Sequence, residues 1–189
     1  MYKNLFNTAI SLIFKPSEAW RVLNEKDTND NESFLSGYVY PFIGMITLAA
    51  FVGALLTRKE LDFQVALKAA ILVLVSFFCS FFISTYIINE LWHTFFHRER
   101  NMKRCQCFVG YSSSLMYALY IILSLLPEFF FLRILVLYTV YIIWEGAIPY
   151  MGVSESEQLK FVSISTIVIV LTPLIIEFTM GSLMPGLKL

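Results

Sequence analysis

Five long apolar runs govern what this chain can fold into: Gly37 to Thr57, Ala66 to Leu91, Phe108 to Leu126, Phe129 to Pro149 and Phe161 to Met180. Each approaches or exceeds the roughly 18 to 20 apolar residues that cross a hydrocarbon core of about 30 Å. The runs are continuous rather than alternating, which predicts helical spans and not barrel strands. Between the third and fourth runs stands only "LPEF", where Pro127 cannot extend a helix and Glu128 marks water, so a tight helical hairpin is expected there. Composition agrees: 58% of residues are hydrophobic and 15% charged, with a mean hydropathy of +0.69, far from a soluble domain's balance. The predicted fold is all-α, a polytopic membrane protein with five transmembrane helices over residues 36–189, preceded by a short interfacial amphipathic arm over residues 1–35.

The arm is read from "MYKNLFNTAISLIFKPSEAWRVLNEKDTNDNESF". Leu5, Ala9, Leu12 and Ile13 recur at helical spacing, Lys15-Pro16 interrupts them, and Ser17 could cap a second short helix carrying Ala19, Trp20, Val22 and Leu23. Pieces of about a dozen residues are too short to span, so they are expected to lie in the interface with Trp20 at headgroup level. No small-residue cleavage pattern follows the first apolar stretch, so the spans themselves are expected to direct insertion. No internal repeat stands out, whereas an inverted-repeat transporter would show matched spans in even number.

Net charge is zero, which gives no basis for a nucleic-acid partner. Distribution is more informative. With the amino terminus inside, Lys3, Lys15, Arg21, Lys26, Arg98, Arg100, Lys103, Arg104 and Lys160 fall on the cytosolic side; Arg58, Lys59, Lys68, Arg133 and Lys188 fall opposite. That asymmetry predicts a cytosolic amino terminus and a carboxyl terminus on the other side. Cys79, Cys105 and Cys107 are an odd set, one of them within an apolar run, and are expected to be reduced.

The stretch "ELWHTFFHRERNMKRCQC" concentrates the polar chemistry. Continued as a helix, it puts Glu90, His93 and His97 within about sixty degrees of one another, a spacing that could ligate a metal with Cys105 and Cys107 folding back. The plainer reading is a helix end rich in interfacial aromatics followed by a basic loop, Arg98, Arg100, Lys103 and Arg104, that fixes topology and meets anionic lipid. No cofactor is expected. Inside the spans, Glu145 is the carboxylate deep enough to need a partner, with a cation or proton as one possibility and neighbouring hydroxyls as the other. "GYSSS" places Tyr111, Ser112, Ser113 and Ser114 on the third span as an internal seam, and Pro173 interrupts the fifth. Nucleophile elbow, Walker loop and dinucleotide fingerprint are absent from the sequence, so catalysis is not expected.

In order and spacing these motifs resemble the Yip domain family of five-span membrane proteins. "IFKPSEAWRVL", with Pro16 and Trp20, is similar to the interfacial Pro-x-x-x-Trp element of its bacterial branch; "GYVYPFIGM" resembles the start of that branch's first span, and "FVGYSSSLMYALYIILSLLP" its third. "VLYTVYIIWEGAIPYMGVSESEQLKF" is similar to the fourth span and its short loop into the fifth. The resemblance implies a five-helix bundle in a bacterial plasma (inner) membrane that self-associates or binds other membrane proteins. The eukaryotic "DLYGP" element is absent and the arm is short, so the resemblance does not extend to a Rab-type GTPase partner. The leading functional expectation is a scaffold or adaptor whose arm and 92–107 loop meet partners. The alternative is a small homo-oligomeric permease using Glu145, Tyr111, the Ser112 to Ser114 patch and Pro173.

Overall fold

A computed structural model describes residues 2–27, 34–56 and 62–183. Among the described residues the chain is helical with no strand: α1 (Tyr2–Phe14), α2 (Pro16–Asp27), α3 (Tyr40–Leu56), α4 (Phe63–Phe96), α5 (Met102–Ser112), α6 (Ser114–Leu125), a 3-10 helix (Pro127–Tyr138), α7 (Thr139–Ala147) and α8 (Glu155–Leu183). Four segments are long and apolar enough to cross a membrane, and the count is five when α5 and α6, which meet at a 42° bend, are taken together as one broken span, the third in chain order. The protein is therefore a multi-pass membrane protein. Arg58, Lys59 and Lys188, three of the charges weighed for orientation, lie outside the described residues.

Each span carries a local signature of its sequence. The first begins with a widened π turn, Leu35–Val39, which ends two residues before Pro41; proline has no N–H for the carbonyl four residues back, and a wider turn relieves that loss. The second, α4, has 34 residues, about 51 Å, so it extends well beyond a 30 Å core. Asp62 caps its start by accepting from the backbone N–H groups of Gln64 and Val65 at 2.9 and 3.1 Å. His97 ends it in the left-handed region at φ 50°, a conformation that forces the chain to turn. The fourth span is two-natured: Pro127–Tyr138 winds as 3-10 helix interrupted by a kink at Phe129 (φ −85°, ψ 32°), and α7 follows it.

The spans close a ring. Span 1 packs on spans 2 and 3, span 2 on span 5, span 5 on span 4, and span 4 on span 3. Gly53 sets the approach of spans 1 and 3, since a Cβ there would stand 1.8 Å from the Ser124 carbonyl oxygen; only a hydrogen fits where two backbones come that near. Aromatic rings run through the centre, from Trp92, Phe96 and Phe161 by way of Phe108 and Trp20 to Tyr111, Phe34, Tyr38, Phe42 and Tyr117.

The arm is part of this packing. Leu5, Ala9, Leu12, Ala19, Trp20 and Leu23 all belong to the buried core. Trp20 is fully enclosed by protein and does not face lipid headgroups as the sequence led us to expect. The reason is a fitted pocket, in which the indole N–H donates to the Ile142 carbonyl at 2.9 Å while the ring lies against Phe108, Tyr111 and Tyr150. An indole is held more firmly by a satisfied N–H and three rings than by the bilayer interface.

Candidate functional site: the fastened end of the bundle

The end of the bundle that carries the arm gathers most of the polar residues singled out in the sequence. Trp20 sits above α7 because Gly146 leaves room for it: a Cβ on Gly146 would come within 2.5 Å of the Trp20 ring. The loop after α7 is drawn in by Arg104. Its Nε donates to the Tyr150 carbonyl at 2.7 Å, its terminal amino group donates to the same oxygen and, at 3.2 Å, to Asn24 Oδ1 of α2, and the guanidinium stands over the Tyr150 ring at 5.5 Å. One cation thus joins three separate segments through the planar fork that distinguishes arginine from lysine. Asn101 starts α5 by accepting from the Arg104 N–H at 3.0 Å, so the same residue is fixed at both its backbone and its head.

The basic stretch is a short reverse turn, narrower than the 92–107 loop the sequence suggested. α4 runs to Phe96 and α5 begins at Met102. Arg98, Arg100 and Lys103 are exposed along it, while Arg104 acts as a clamp. Glu90 accepts from Arg100 at 2.8 Å, His93 Nδ1 lies 3.2 Å from the Arg98 carbonyl, and His97 is the helix cap. Cys105 and Cys107 point into the core, with the Cys105 thiol 3.8 Å from Asn89 Oδ1. Among the described residues no group of three His, Cys, Asp or Glu side chains is placed to hold a metal. Glu90, His93 and His97 are thus not drawn together as one ligand set: the carboxylate is paired with Arg100, His97 turns off as the helix cap, and the Cys105 and Cys107 thiols are buried in the core.

The serine patch and the proline come together elsewhere. Ser113, at the bend of span 3, faces Pro173 of α8 and Ser80 and Ser84 of α4 around a cleft also lined by Phe77 and Tyr117. Its free volume, about 10 Å³, is the size of a single water molecule and admits no solute in this conformation. Ser84 Oγ reaches the Val168 carbonyl of α8 at 3.5 Å, and Ser113 donates to Val109 within its own helix at 2.8 Å. Ser114 donates to the Tyr111 carbonyl at 2.5 Å, so the 2.6 Å contact from Tyr38 is donated by the phenol. The Ser112 hydroxyl is buried without a protein partner.

Glu145 does not line that cleft. It is half-buried on α7, next to the Tyr141 hydroxyl one turn earlier, within three residues of the span's end at Ala147. The residues that a permease would combine are therefore split between two places. Sequence reasoning missed the intramembrane pair that the structure does form: Tyr120 of α6 donates to Glu177 of α8 at the opposite end, with the Arg133 charge acting on the same phenol. Glu177 and Tyr120 both carried polar atoms in apolar runs, and that was their only signal.

No curated protein and no solved structure matches the chain. A sequence model of the Yip1 domain, however, matches residues 10–176, from the middle of α1 through every span to the last turns of α8. The match takes in the packed part of the arm, the Trp20 pocket, the Arg104 clamp and the serine bend in one unit, and the chain belongs to the Yip1 domain family.

Proposed function

We propose that this protein is an integral membrane scaffold or adaptor that binds other membrane proteins or its own copies through its fastened end. The observation that supports this reading is the preorganisation of that end. Trp20, Arg104 and Tyr150 tie α2, α5 and the 148–153 loop into one body, beside which Arg98, Arg100 and Lys103 stand exposed. A partner meeting a surface already ordered loses less entropy on binding than one that must order a loose loop. In this reading the fastened end lies on the cytosolic side of a bacterial plasma membrane, an orientation that the Lys/Arg asymmetry along the chain supports.

The test is purification of tagged protein from its native membrane in mild detergent, compared with an Arg98→Glu/Lys103→Glu variant. Both side chains are exposed, so the fold should survive. The adaptor reading expects a stoichiometric partner that falls about ten-fold in recovery when the basic turn is reversed, as for a charged contact that matters. Recovery of the same partner at the same level from the variant would remove the turn from the contact surface. Recovery of the protein alone, as a monomer, from the unaltered chain would defeat the reading altogether.

A further inference from the structure

The helix α1 has three sides. Leu5, Ala9 and Leu12 are buried against the bundle, Phe6, Ile10 and Phe14 are exposed, and so are Asn4, Asn7 and Ser11. At 3.6 residues per turn these sets form three stripes roughly 90 to 135° apart: one for protein, one apolar and outward, one polar. A helix bordering only protein and water would have no use for the second stripe.

Two contacts fix where the helix lies. Phe6 meets the Phe42 ring of span 1 with centroids 6.4 Å apart, and the Ile13 carbonyl accepts from Tyr138 of span 4 at 3.1 Å. Between them α1 packs on α5 and α6, so it lies across span 3 from span 1 to span 4. Phe42 is seven residues past Leu35, about 10 Å along the span, and Tyr138 is nine residues before Ala147, about 14 Å. Half a hydrocarbon core is about 15 Å. With the span ends Leu35 and Ala147 taken at the membrane surface, the outward stripe is level with the acyl chains of the arm-side leaflet, at the side of the exposed Tyr138 of span 4.

We propose that α1 is a one-leaflet wedge: Phe6, Ile10 and Phe14 insert among the acyl chains of the arm-side leaflet, and the protein favours bilayers in which that leaflet is convex. The helix is about 20 Å long and about 10 Å across, adding on the order of 200 Å² of cross-section to one leaflet. Among the described residues no helix lies across the bundle at the far end, where spans 3 and 4 join directly at Leu126 and Pro127.

The experiment reconstitutes the full chain, with a fluorophore at the amino terminus, into small sonicated and large extruded vesicles of one lipid composition. A membrane-impermeant quencher reads the ratio of arm-out to arm-in molecules. The wedge expects that ratio to be about two-fold higher in the small vesicles, and equal in both sizes for Phe6→Ser/Ile10→Ser/Phe14→Ser, whose changes leave the buried stripe intact. An equal ratio for the unaltered chain, or a preserved bias in the triple variant, overturns the proposal. A second measurement does not depend on that variant folding: a label at Ile10→Cys should be quenched by nitroxides on acyl chains more than by nitroxides on headgroups. Quenching chiefly by a water-borne reagent would place the stripe outside the bilayer and overturn it equally.

Discussion

The two halves of span 4 have similar composition and opposite fates. α7 buries Thr139, Ile142, Ile143, Gly146 and Ala147; its Ile142 carbonyl accepts from the Trp20 indole, and its Trp144 carbonyl accepts from the Gln158 amide of α8 at 3.1 Å. The 3-10 half, Pro127–Tyr138, has no fully buried side chain, and only Leu132 and Val136 rest partly buried against the core. One half is a wall of the Trp20 pocket and the other is a peripheral strut, packed on α6 along one side and exposing most of its side chains along the other. Within a bilayer, where lipid is as apolar as leucine, the difference arises from shape and hydrogen bonds: Gly146 and a free carbonyl lone pair create a place for an indole, and three consecutive phenylalanines create none.

The largest expected effect tests the tight half. Trp20→Ala removes the biggest fully buried side chain and should cost about 3 to 5 kcal/mol, the range for emptying a large aromatic site, read by thermal or denaturant unfolding in a fixed detergent. A cost below about 1 kcal/mol would mean that the arm is an appendage. Next comes Gly146→Ala, whose new methyl meets the indole; about 1 to 3 kcal/mol is expected for overpacking. The sharper form is the double-mutant cycle: in a Trp20→Ala background the Gly146→Ala cost should fall to nearly zero, because the methyl then enters the space the ring has left. Costs that simply add would show that Gly146 is tight against something else. Arg104→Lys keeps the charge and loses the fork to Tyr150 and Asn24, and should cost about 1 kcal/mol, with faster amide exchange confined to residues 150–153 as its signature.

What the sequence made legible followed from contrasts of polarity along the chain. The apolar runs and the turn at Pro127 were marked by residues that interrupt oil, whereas Pro173, which interrupts its run in the same way, lies within an unbroken α8. What it hid lay in contacts within uniform surroundings. Nothing about Trp20 in "PSEAWRVL" distinguishes an indole facing headgroups from one facing Ile142, 122 residues away. Arg104 was grouped with Arg98, Arg100 and Lys103 because charge is visible in sequence, whereas its partner is a backbone carbonyl 46 residues on, which every residue possesses. The 3-10 winding of Pro127–Tyr138 was equally invisible, since an apolar run reads alike in either helix. Pairing of Tyr120 with Glu177 escaped for a related reason: one residue's depth was judged without its partner, and depth alone made Glu145 look the more costly.

The smallest expected effect tests the bare half, and its value lies in being small. Phe130 and Phe131 are 69% and 58% exposed, and their rings touch chiefly each other and Phe129. In water, truncating exposed phenylalanines would relieve solvent of apolar surface; in a bilayer it exchanges ring contacts for lipid contacts of similar strength. Phe130→Ala/Phe131→Ala should therefore change unfolding stability in detergent by no more than about 0.5 kcal/mol, against several for Trp20 on the same scale. A loss of 2 kcal/mol or more would break the comparison, because it would require those rings to be packed against protein. If that loss appeared only at protein concentrations where the chain associates, the covering protein would be a second copy, and the strut would be an interface instead of a lipid-facing edge.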